Sequence, residues 1–370
     1  MHPRRALLGA AAAAAPALAA PALAQPALAQ TTQAMPELRW RLTSSFPRTV
    51  DIIHGTGELV CRRVAALTDN RFQIRMFAAG EIVPGLQALD AVQNATVECA
   101  LAPTYFFMGK EPSFAVFTAM PFGLNTRQLS AWLTHGGGKE LSAELFRDYN
   151  VIGFPCGDTG AQMGGWFRRE VKSLEDIKGL KFRIAGLAGE IFKRLGATPS
   201  AIAPADIYPS LERGTIDAVE FTSPYDDEKL GFYRIAPYYY YPGFWDPGAR
   251  LHFMVNQRAW EALPPLYREA LEVACADANA DMLARYDNAN PGALRRLIAN
   301  GTQLRPWSRD IMAASYKAMN EITDEISGRD ARFRRIWESY RKYRDEEFVW
   351  FRIAENSLEN FSFTAAQTVR

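Results

Sequence analysis

The sequence lacks the side-chain patterns on which most hydrolytic and redox enzymes depend. Histidine occurs four times, and His54, His135 and His252 lie far apart along the chain. No H-E-x-x-H, G-x-S-x-G or dinucleotide-binding glycine pattern is present. The run Gly136–Lys139 resembles a phosphate-binding loop, but Glu140 stands where that loop needs Ser or Thr. These absences argue against an enzyme, although carboxylates alone can carry acid–base chemistry.

Cysteine is equally sparse. Its four copies, Cys61, Cys99, Cys156 and Cys275, are widely spaced, and none belongs to a C-x-x-C pair. The zinc and dithiol sites that such a pair typifies are therefore not supported. Two interpretations remain open. One is a disulfide in an oxidising compartment, and the other, which we favour, is free thiols buried as small apolar side chains.

A strong excess of charge of either sign is also missing. Lys and Arg number 42 against 41 Asp and Glu, which gives a formal net charge of +1. A nucleic-acid partner would call for a basic surface, so the composition predicts no such partner. With 370 residues, 48% of them hydrophobic, the chain is long enough for two domains that each have a core.

The first 30 residues differ in composition from everything that follows. A short basic start with Arg4 and Arg5 precedes an Ala/Leu run over residues 6–20, and Ala-Leu-Ala-Gln then occurs twice. This order of basic, apolar and small residues predicts a signal peptide over residues 1–30. The paired arginines leave two export routes open, the Sec route and the twin-arginine route. Either route predicts a periplasmic protein, and no later stretch is apolar enough to span a bilayer.

Two successive β-α-β-α-β patterns follow. The first has strands at residues 39–44, 72–77 and 97–102, with helices at 54–68 and 86–94. The second has strands at residues 151–155, 180–184 and 216–221, with helices at 190–195 and 205–213. This alternation favours mainly parallel sheets covered by helices, and hence an α/β fold with two lobes and a cleft. The chain is helical from residue 259 onward. Its last amphipathic stretch, residues 332–360, either packs on its own lobe or pairs with a partner chain.

Polar residues stand at the ends of strands in the second pattern. Arg183 shares a strand with Phe182 and Ile184, and Glu220 ends the apolar run that begins at Ile216. An Arg at a strand end can hold a carboxylate through two parallel hydrogen bonds, and an acid there can face a cleft. A surface Arg paired with a nearby acid, and a solvated strand end, remain the alternatives on these residues alone.

Five motifs resemble those of one known family. They are Gly-Ala-Gln-Met-Gly-Gly-Trp-Phe (160–167), Gly-Leu-Lys-Phe-Arg-Ile-Ala-Gly (179–186), Leu-Glu-Arg-Gly-Thr-Ile-Asp-Ala-Val-Glu-Phe (211–221), Pro-Tyr-Asp-Asp-Glu-Lys-Leu-Gly-Phe-Tyr (224–233) and Tyr-Tyr-Tyr-Tyr-Pro-Gly (238–243). Through them the chain resembles the extracytoplasmic solute-binding proteins of tripartite ATP-independent periplasmic (TRAP) transporters. It is most similar to the branch that binds 2-oxo acids such as pyruvate, or lactate. The resemblance extends from about Trp40 to Phe361.

The resemblance implies a periplasmic binding protein fold of two α/β lobes joined by hinge strands and long helices. Lobe I would comprise residues 38–155 and 253–310, and lobe II residues 156–252. The long helices of residues 311–361 would be a dimerisation element, with a monomer as the alternative. The expected partners are a small organic acid, the TRAP membrane subunits and a second copy of the chain.

The resemblance also implies the roles of particular residues. Arg183 would bind the substrate carboxylate, Gln162 would lie beside it, and Tyr105 would donate to the ligand from the other lobe. A cation that bridges protein and ligand would be held by Gln162, Glu220, the Phe221 carbonyl and Asp246. Because all of these donors are oxygens, Na⁺ or Ca²⁺ is expected rather than zinc, and charge counting does not separate the two.

The aromatic run at residues 238–241, followed by Phe244 and Trp245, has two interpretations. It either packs inside a lobe or walls the cleft, and we expect a cleft contact from Trp245 only. Two alternative functions also remain open. One is a secreted metal-dependent enzyme acting on 2-oxo acids, with Glu220 or Asp246 as its base. The other is the ligand-binding subunit of a periplasmic sensor.

Overall fold

The structure, a computed structural model, describes residues 35–368, and the chain from Pro36 onward forms one compact unit. The predicted signal peptide, residues 1–30, lies outside the described residues. Within them, no helix has both the length and the apolarity to cross a membrane. The four cysteines are free thiols, of which Cys61 is half-buried and the other three are buried.

Short strands and longer helices alternate along the described residues. The strands are β1 (Leu38–Ser44), β2 (Phe72–Phe77), β3 (Cys99–Pro103), β4 (Val151–Asp158), β5 (Trp166–Phe167), β6 (Lys181–Arg183), β7 (Thr198–Ser200), β8 (Ala218–Val219), β9 (Tyr238–Tyr241), β10 (Arg250–Asn256) and β11 (Gln303–Pro306). The helices are α1 (Asp51–Leu67), α2 (Ala88–Gln93), α3 (Thr126–His135), α4 (Gly138–Arg147), α5 (Gly186–Arg194), α6 (Ile207–Glu212), α7 (Pro224–Leu230), α8 (Gln257–Glu261), α9 (Pro265–Ala299), α10 (Arg309–Arg329), α11 (Ala331–Phe351) and α12 (Ser357–Thr368).

Two sheets form the cores of the two lobes. The first has the order β2-β1-β3-β10-β4 and the second β11-β9-β5-β8-β6-β7. β1 runs parallel to β2 and β3, and β6 runs parallel to β7 and β8, as the β-α-β-α-β patterns predict. Successive side chains of a strand point to opposite faces of the sheet, so every second residue is buried. In β2 the buried residues are Phe72, Ile74 and Met76. The α/β, two-lobed fold is therefore confirmed.

The antiparallel strands are the part of the sheets that the patterns did not predict. β10 runs antiparallel to β3 and β4, and β5 runs antiparallel to β8 and β9. β10 is buried along its whole length and therefore has no alternation to reveal its direction. β4 and β10 also extend past the expected limits of residues 155 and 253, as far as the facing pair Asp158 and Arg250.

The second segment expected in lobe I, residues 253–310, contributes a strand to the other sheet. β11, at residues 303–306, pairs with β9 in the second sheet, although residues 253–310 were all expected in lobe I. α9 is also longer than the predicted helix, because it continues through Pro291 to a length of 35 residues. Its packing against α1 and β4 at one end and α7 at the other outweighs the backbone hydrogen bond that proline removes.

The C-terminal helices divide into a buried part and an exposed part. Trp337 and Tyr340 of α11 pack on the first lobe, with the Tyr340 ring 5.2 Å from that of Trp132. The Leu124 N–H donates to Tyr340 Oη at 2.7 Å. Beyond residue 344 the helix carries exposed apolar side chains, among them Trp350 and Ile353. The start of this stretch thus packs on its own lobe. The rest contacts that lobe through Arg127, which pairs with Glu355 at 2.9 Å, and also presents exposed apolar side chains.

Candidate functional site

Strand register brings Arg183 and Glu220 together. Arg183 ends β6 and pairs with Val219 of β8, so the next residue, Glu220, lies beside it. The Glu220 N–H donates to the Arg183 carbonyl at 2.9 Å. Arg183 Nη1 donates to the Glu220 carbonyl and, at 3.2 Å, to Glu220 Oε2. The two side chains are only 3% and 2% exposed, so this ion pair is shielded from water.

The guanidinium of Arg183 is held in place but keeps one nitrogen available. Its Nε donates to the Ile202 carbonyl at 3.2 Å, and its Cζ lies 5.7 Å from the centre of the Phe221 ring. Within residues 35–368, no group accepts a hydrogen bond from Nη2. A buried, oriented guanidinium with a free terminal nitrogen can bind a carboxylate.

Backbone hydrogen bonds join three loops beside this pair. The Gln162 N–H donates to the Asp246 carbonyl, the Gly243 N–H to the Gln162 carbonyl, and the Met163 N–H to the Thr222 carbonyl, each at 3.0 Å. Only glycine fits at residue 243, because a Cβ there would lie 2.6 Å from the carbonyl oxygens of Gln162 and Met163. The loops therefore hold Gln162 and Asp246 at a fixed separation.

The Gln162 carboxamide faces a group of oxygens. One of its terminal atoms is 3.2 Å from Asp246 Oδ2 and 3.1 Å from the Phe221 carbonyl oxygen, and the other is 3.0 Å from Thr159 Oγ1. With the amide nitrogen toward the two oxygens, it donates to both of them. With the amide oxygen there, three oxygens face one another, which is the arrangement that surrounds a cation. The amide can thus serve this site with or without a cation.

Burial raises the pKa of both acids at this site. For Asp246 the charge of Glu220 raises the pKa further, while Arg183 acts in the opposite direction. The pKa of Glu220 rises to about 7, although Arg183, the Ala185 N–H and the Trp245 indole oppose the effect of burial. Two buried carboxyls beside one guanidinium leave negative charge unbalanced when both are ionised. A bound cation would offset this charge.

The donor set fits a hard cation. The oxygens of Gln162, Phe221 and Asp246 converge, while the Glu220 carboxyl lies on the Arg183 side of the group. Carboxylate, amide and carbonyl oxygens are the ligands that Na⁺ and Ca²⁺ prefer. Among the residues that the structure describes, no group of three His, Cys, Asp or Glu side chains is arranged to hold a metal ion.

A small chamber between the lobes adjoins Arg183. The first lobe contributes Phe46 and Ile53 to its wall, and the second contributes Gln162, Arg183 and Phe221. The cavity volume is about 10 Å³, about the least that admits one water molecule. The lobes are therefore close together in this structure, and a ligand with several heavy atoms needs the Arg183 and Glu220 side chains to separate or the lobes to open.

Tyr105 reaches the chamber from the first lobe, in the turn that follows β3. Burial raises the pKa of this phenol, and the charges of Asp246 and Glu220 raise it further. The hydroxyl therefore keeps its proton and can donate to a ligand oxygen. The structure thus places Tyr105, Gln162 and Arg183 around one chamber, with Asp246 beside the Gln162 amide, although these residues come from distant parts of the chain.

Trp245 packs inside the second lobe. Its ring packs in the aromatic core of the second lobe, 5.6 Å from Phe192 and 4.7 Å from Phe244, and it is 2% exposed. It lines neither the chamber nor the larger cavity beside it. The structure thus shows packing contacts for Trp245, and the expected contact with the ligand stays a prediction. Tyr239 and Tyr240 are also buried, in agreement with packing.

Several chamber residues were missed by reasoning from the sequence. Phe46 follows the carboxyl end of β1, where ligands bind in open α/β sheets, so its position could have indicated it. Thr159, which contacts the Gln162 amide, lies within the glycine-rich segment before β5. Leu251 had no such indication, because it reaches the chamber only through the antiparallel course of β10.

Comparison with known proteins identifies relatives over most of the chain. Residues 44–330 match the family model DctP, described as bacterial extracellular solute-binding protein, family 7. A monocarboxylate 2-oxoacid-binding periplasmic protein of Nostoc sp. (strain PCC 7120) is 48% identical over 328 residues, which are 89% of this chain and 90% of that protein.

Solved structures agree with this match. A TRAP transporter solute-binding protein from Bordetella bronchiseptica RB50, a mixed-occupancy dimer with copurified calcium and picolinate in its bound site, is 46% identical with a TM-score of 0.89. The alignment covers 90% of this chain and 100% of that one. A TRAP periplasmic solute-binding protein from Pseudoalteromonas atlantica T6c, with bound sodium and pyruvate, is 35% identical with a TM-score of 0.85. That alignment covers 88% of this chain and 99% of the other.

Proposed function

The chain belongs to family 7 of the bacterial extracellular solute-binding proteins, the DctP family, and we propose that it binds a 2-oxo or 2-hydroxy monocarboxylate for uptake by a TRAP transporter. The family consists of extracytoplasmic transport receptors, not of enzymes, so the enzyme hypothesis is set aside. The sensor hypothesis differs only in the partner to which the bound ligand is presented.

One observation carries the proposal. A buried guanidinium, Arg183, lies beside a group of converging oxygens from Gln162, Phe221 and Asp246. The guanidinium supplies positive charge and donors for a carboxylate. The oxygens supply a place for a cation that can also contact the ligand. A 2-oxo or 2-hydroxy acid presents both a carboxylate and an adjacent oxygen, which matches the two halves of this site.

Each residue then has a defined task. Arg183 donates to the ligand carboxylate through the nitrogen that is free of protein contacts, and Tyr105 donates from the opposite lobe. Gln162, Asp246, the Phe221 carbonyl and Glu220 would hold Na⁺ or Ca²⁺. When bound, the cation would offset the charge of the carboxyls and attract the ligand oxygens. The sodium, calcium, pyruvate and picolinate found in the related structures support this assignment.

Two further parts of the proposal concern delivery and assembly. Residues 1–30 would direct export to the periplasm as a signal peptide, by the Sec or twin-arginine route. The apolar face at the C-terminus would join two copies of the chain, because Trp350, Ile353 and Phe361 are 59%, 63% and 73% exposed. The dimer found for the Bordetella relative supports this assembly.

Isothermal titration calorimetry of the purified protein with pyruvate tests the function. We expect binding in the presence of NaCl or CaCl₂, and at least about 10-fold weaker binding after chelation and removal of Na⁺. Arg183→Lys should weaken binding about 100-fold, because the shorter ammonium cannot keep the contacts to Ile202 and Glu220 and also donate to the ligand carboxylate as Nη2 does. Arg63→Lys, an exposed conservative change that leaves the cleft intact, is the matched control. Unchanged pyruvate affinity in Arg183→Ala would overturn the anchor assignment.

A further inference from the structure

One motif of the sequence, residues 224–233, contributes none of the described residues that line the ligand chamber. Most of this motif forms α7, which is fixed to the second lobe because Asp227 accepts a hydrogen bond from Tyr239 Oη of β9 at 2.7 Å. Asp226 accepts another from Thr222 Oγ1 at 3.0 Å. Because Thr222 lines the chamber, these contacts place α7 at its edge.

Two side chains of α7 reach across to the first lobe. Tyr225 Oη donates to Asp51 Oδ2 at 3.2 Å, and Lys229 Nζ donates to Asp51 Oδ1. Lys229 Nζ also donates to Tyr225 Oη at 2.8 Å, so the three side chains contact one another in a closed ring. Asp51 is the first residue of α1, which packs so closely on β2 that a Cβ at Gly57 would lie 2.5 Å from Met76 Sδ. We refer to Asp51, Tyr225 and Lys229 as the interlobe triad.

The interlobe triad lies beside the ligand chamber. Ile53, which follows Asp51 by two residues, lines the chamber from the first lobe. Thr222, which precedes Tyr225 by three residues, lines it from the second. Movement of the two lobes apart at the chamber therefore separates Asp51 from α7.

Both charged members of the triad are ionised at neutral pH. Burial alone would raise the pKa of Asp51, but hydrogen bonds from Lys229 and Tyr225 and the charge of Lys229 bring it below its usual value. Burial alone would lower the pKa of Lys229, but its contacts with Asp51 raise it. The side chains of Asp51 and Lys229 are 45% and 36% exposed, so their attraction is modest and weakened by salt.

We propose that the interlobe triad holds the lobes together over a bound 2-oxo or 2-hydroxy monocarboxylate and thereby slows its release, an inference that rests on the proposed function. Asp51, Tyr225 and Lys229 are positioning residues, because none of them lines the chamber. They keep the first lobe, and with it Tyr105, against Arg183 of the second. The ligand leaves when the lobes open, so the contacts of the triad break in the step that releases it.

Release of pyruvate, measured by stopped-flow tryptophan fluorescence on dilution of the complex in saturating NaCl, tests the proposal. Lys229→Met keeps the aliphatic stem without the charge and should release pyruvate about three-fold faster, the size expected for a half-exposed ion pair. Tyr225→Phe removes only the hydroxyl and should also release it about three-fold faster. Lys229→Arg keeps the charge and should be closer to wild type than to Lys229→Met. Lys178→Met, which breaks an exposed ion pair with Glu175 inside the second lobe, is the matched control and should release pyruvate at the wild-type rate.

Two further measurements distinguish a contact between the lobes from a general loss of structure. Asp51→Asn combined with Lys229→Met should release pyruvate no faster than the faster single variant, because both changes break the same ion pair. Choline chloride at about 1 M, with NaCl held at saturation, should speed release from wild type more than from Lys229→Met, because salt screens the ion pair. Additive effects of the two changes, or the same response to choline chloride in both proteins, would overturn the proposal.

The outcomes separate this inference from the function beneath it. If pyruvate does not bind to wild type, the proposed function is wrong and this inference is wrong with it. If pyruvate binds but leaves Lys229→Met and Tyr225→Phe at the wild-type rate, the function stands and the triad does not hold the lobes together. Binding of one pyruvate per chain by each variant shows that the variant folds.

Discussion

Removal of the imidazole of His252 should make the protein more resistant to mild acid. His252 is 1% exposed in β10, between Ala102 of β3 and Pro155 of β4. Neither ring nitrogen has a hydrogen-bond partner within the described residues, and the ring packs 5.5 Å from that of Phe146. Burial lowers the pKa of His252 to about 3, and the charge of Arg250 acts in the same direction.

The sign follows from the preference of the folded state for the neutral ring. The pKa of His252 is lower in the folded chain than the ordinary value of 6.5, so its contribution to stability is complete above pH 6.5 and is lost as the pH falls toward 3. With these two pKa values, proton uptake by His252 in the unfolded chain lowers the free energy of unfolding by about 2 kcal/mol between pH 7.5 and 5.0.

The assay is urea unfolding at a series of pH values from 7.5 to 5.0. His252→Leu keeps a similar volume and leaves no buried polar atom, so its free energy of unfolding should fall about 2 kcal/mol less than that of wild type over this range. His252→Gln is a second variant if the leucine disturbs packing. His135→Gln removes an exposed imidazole at the end of α3 and should follow the wild-type curve. Parallel pH profiles for wild type and both His252 variants would refute the assignment.

Three further predictions concern the site and its surroundings. Gly243→Ala should weaken pyruvate binding more than 10-fold by calorimetry, since its Cβ would press on two loop carbonyls. Gly328→Ala is the control, because a Cβ there has nothing within 4 Å. This variant should bind pyruvate normally, and its free energy of unfolding should rise by about 1 kcal/mol because the residue lies in a helix. Gln162→Glu should raise the ratio of the pyruvate affinity in CaCl₂ to that in NaCl, because an added carboxylate favours a divalent ion. If this ratio is the same as in wild type, residue 162 does not contact a cation. Burial raises the pKa of Asp227 to about 7, so its contribution to stability is present below pH 3.8 and is lost as the pH rises through 7. Between pH 3.8 and 8, the free energy of unfolding measured by denaturant titration should therefore fall by on the order of 4 kcal/mol more in wild type than in Asp227→Asn. The same pH dependence in both proteins would contradict a buried, protonated Asp227.

Local patterns in the chain were enough to predict the strands and helices whose packing is one-sided. β2 and the first half of β1 alternate between buried and exposed side chains because one face meets a core, and the lobes follow from two sets of strands and helices in the sequence pattern. Arg183 and Glu220 could be nominated because each stands at the end of an apolar strand. Their resemblance to family motifs added the roles of Gln162 and Asp246, which no spacing in the chain links to Arg183.

Only the tertiary structure decided which of these residues meet and what surrounds them. The antiparallel course of β10 places Leu251 at the chamber, and the loop contacts set Gln162 against Asp246 across about 80 residues of chain. The same packing places Trp245 in an aromatic core and pairs β11 with β9 in the second sheet. Sequence patterns record how one segment faces its own core, whereas chambers and ion sites depend on contacts between segments that no local period encodes.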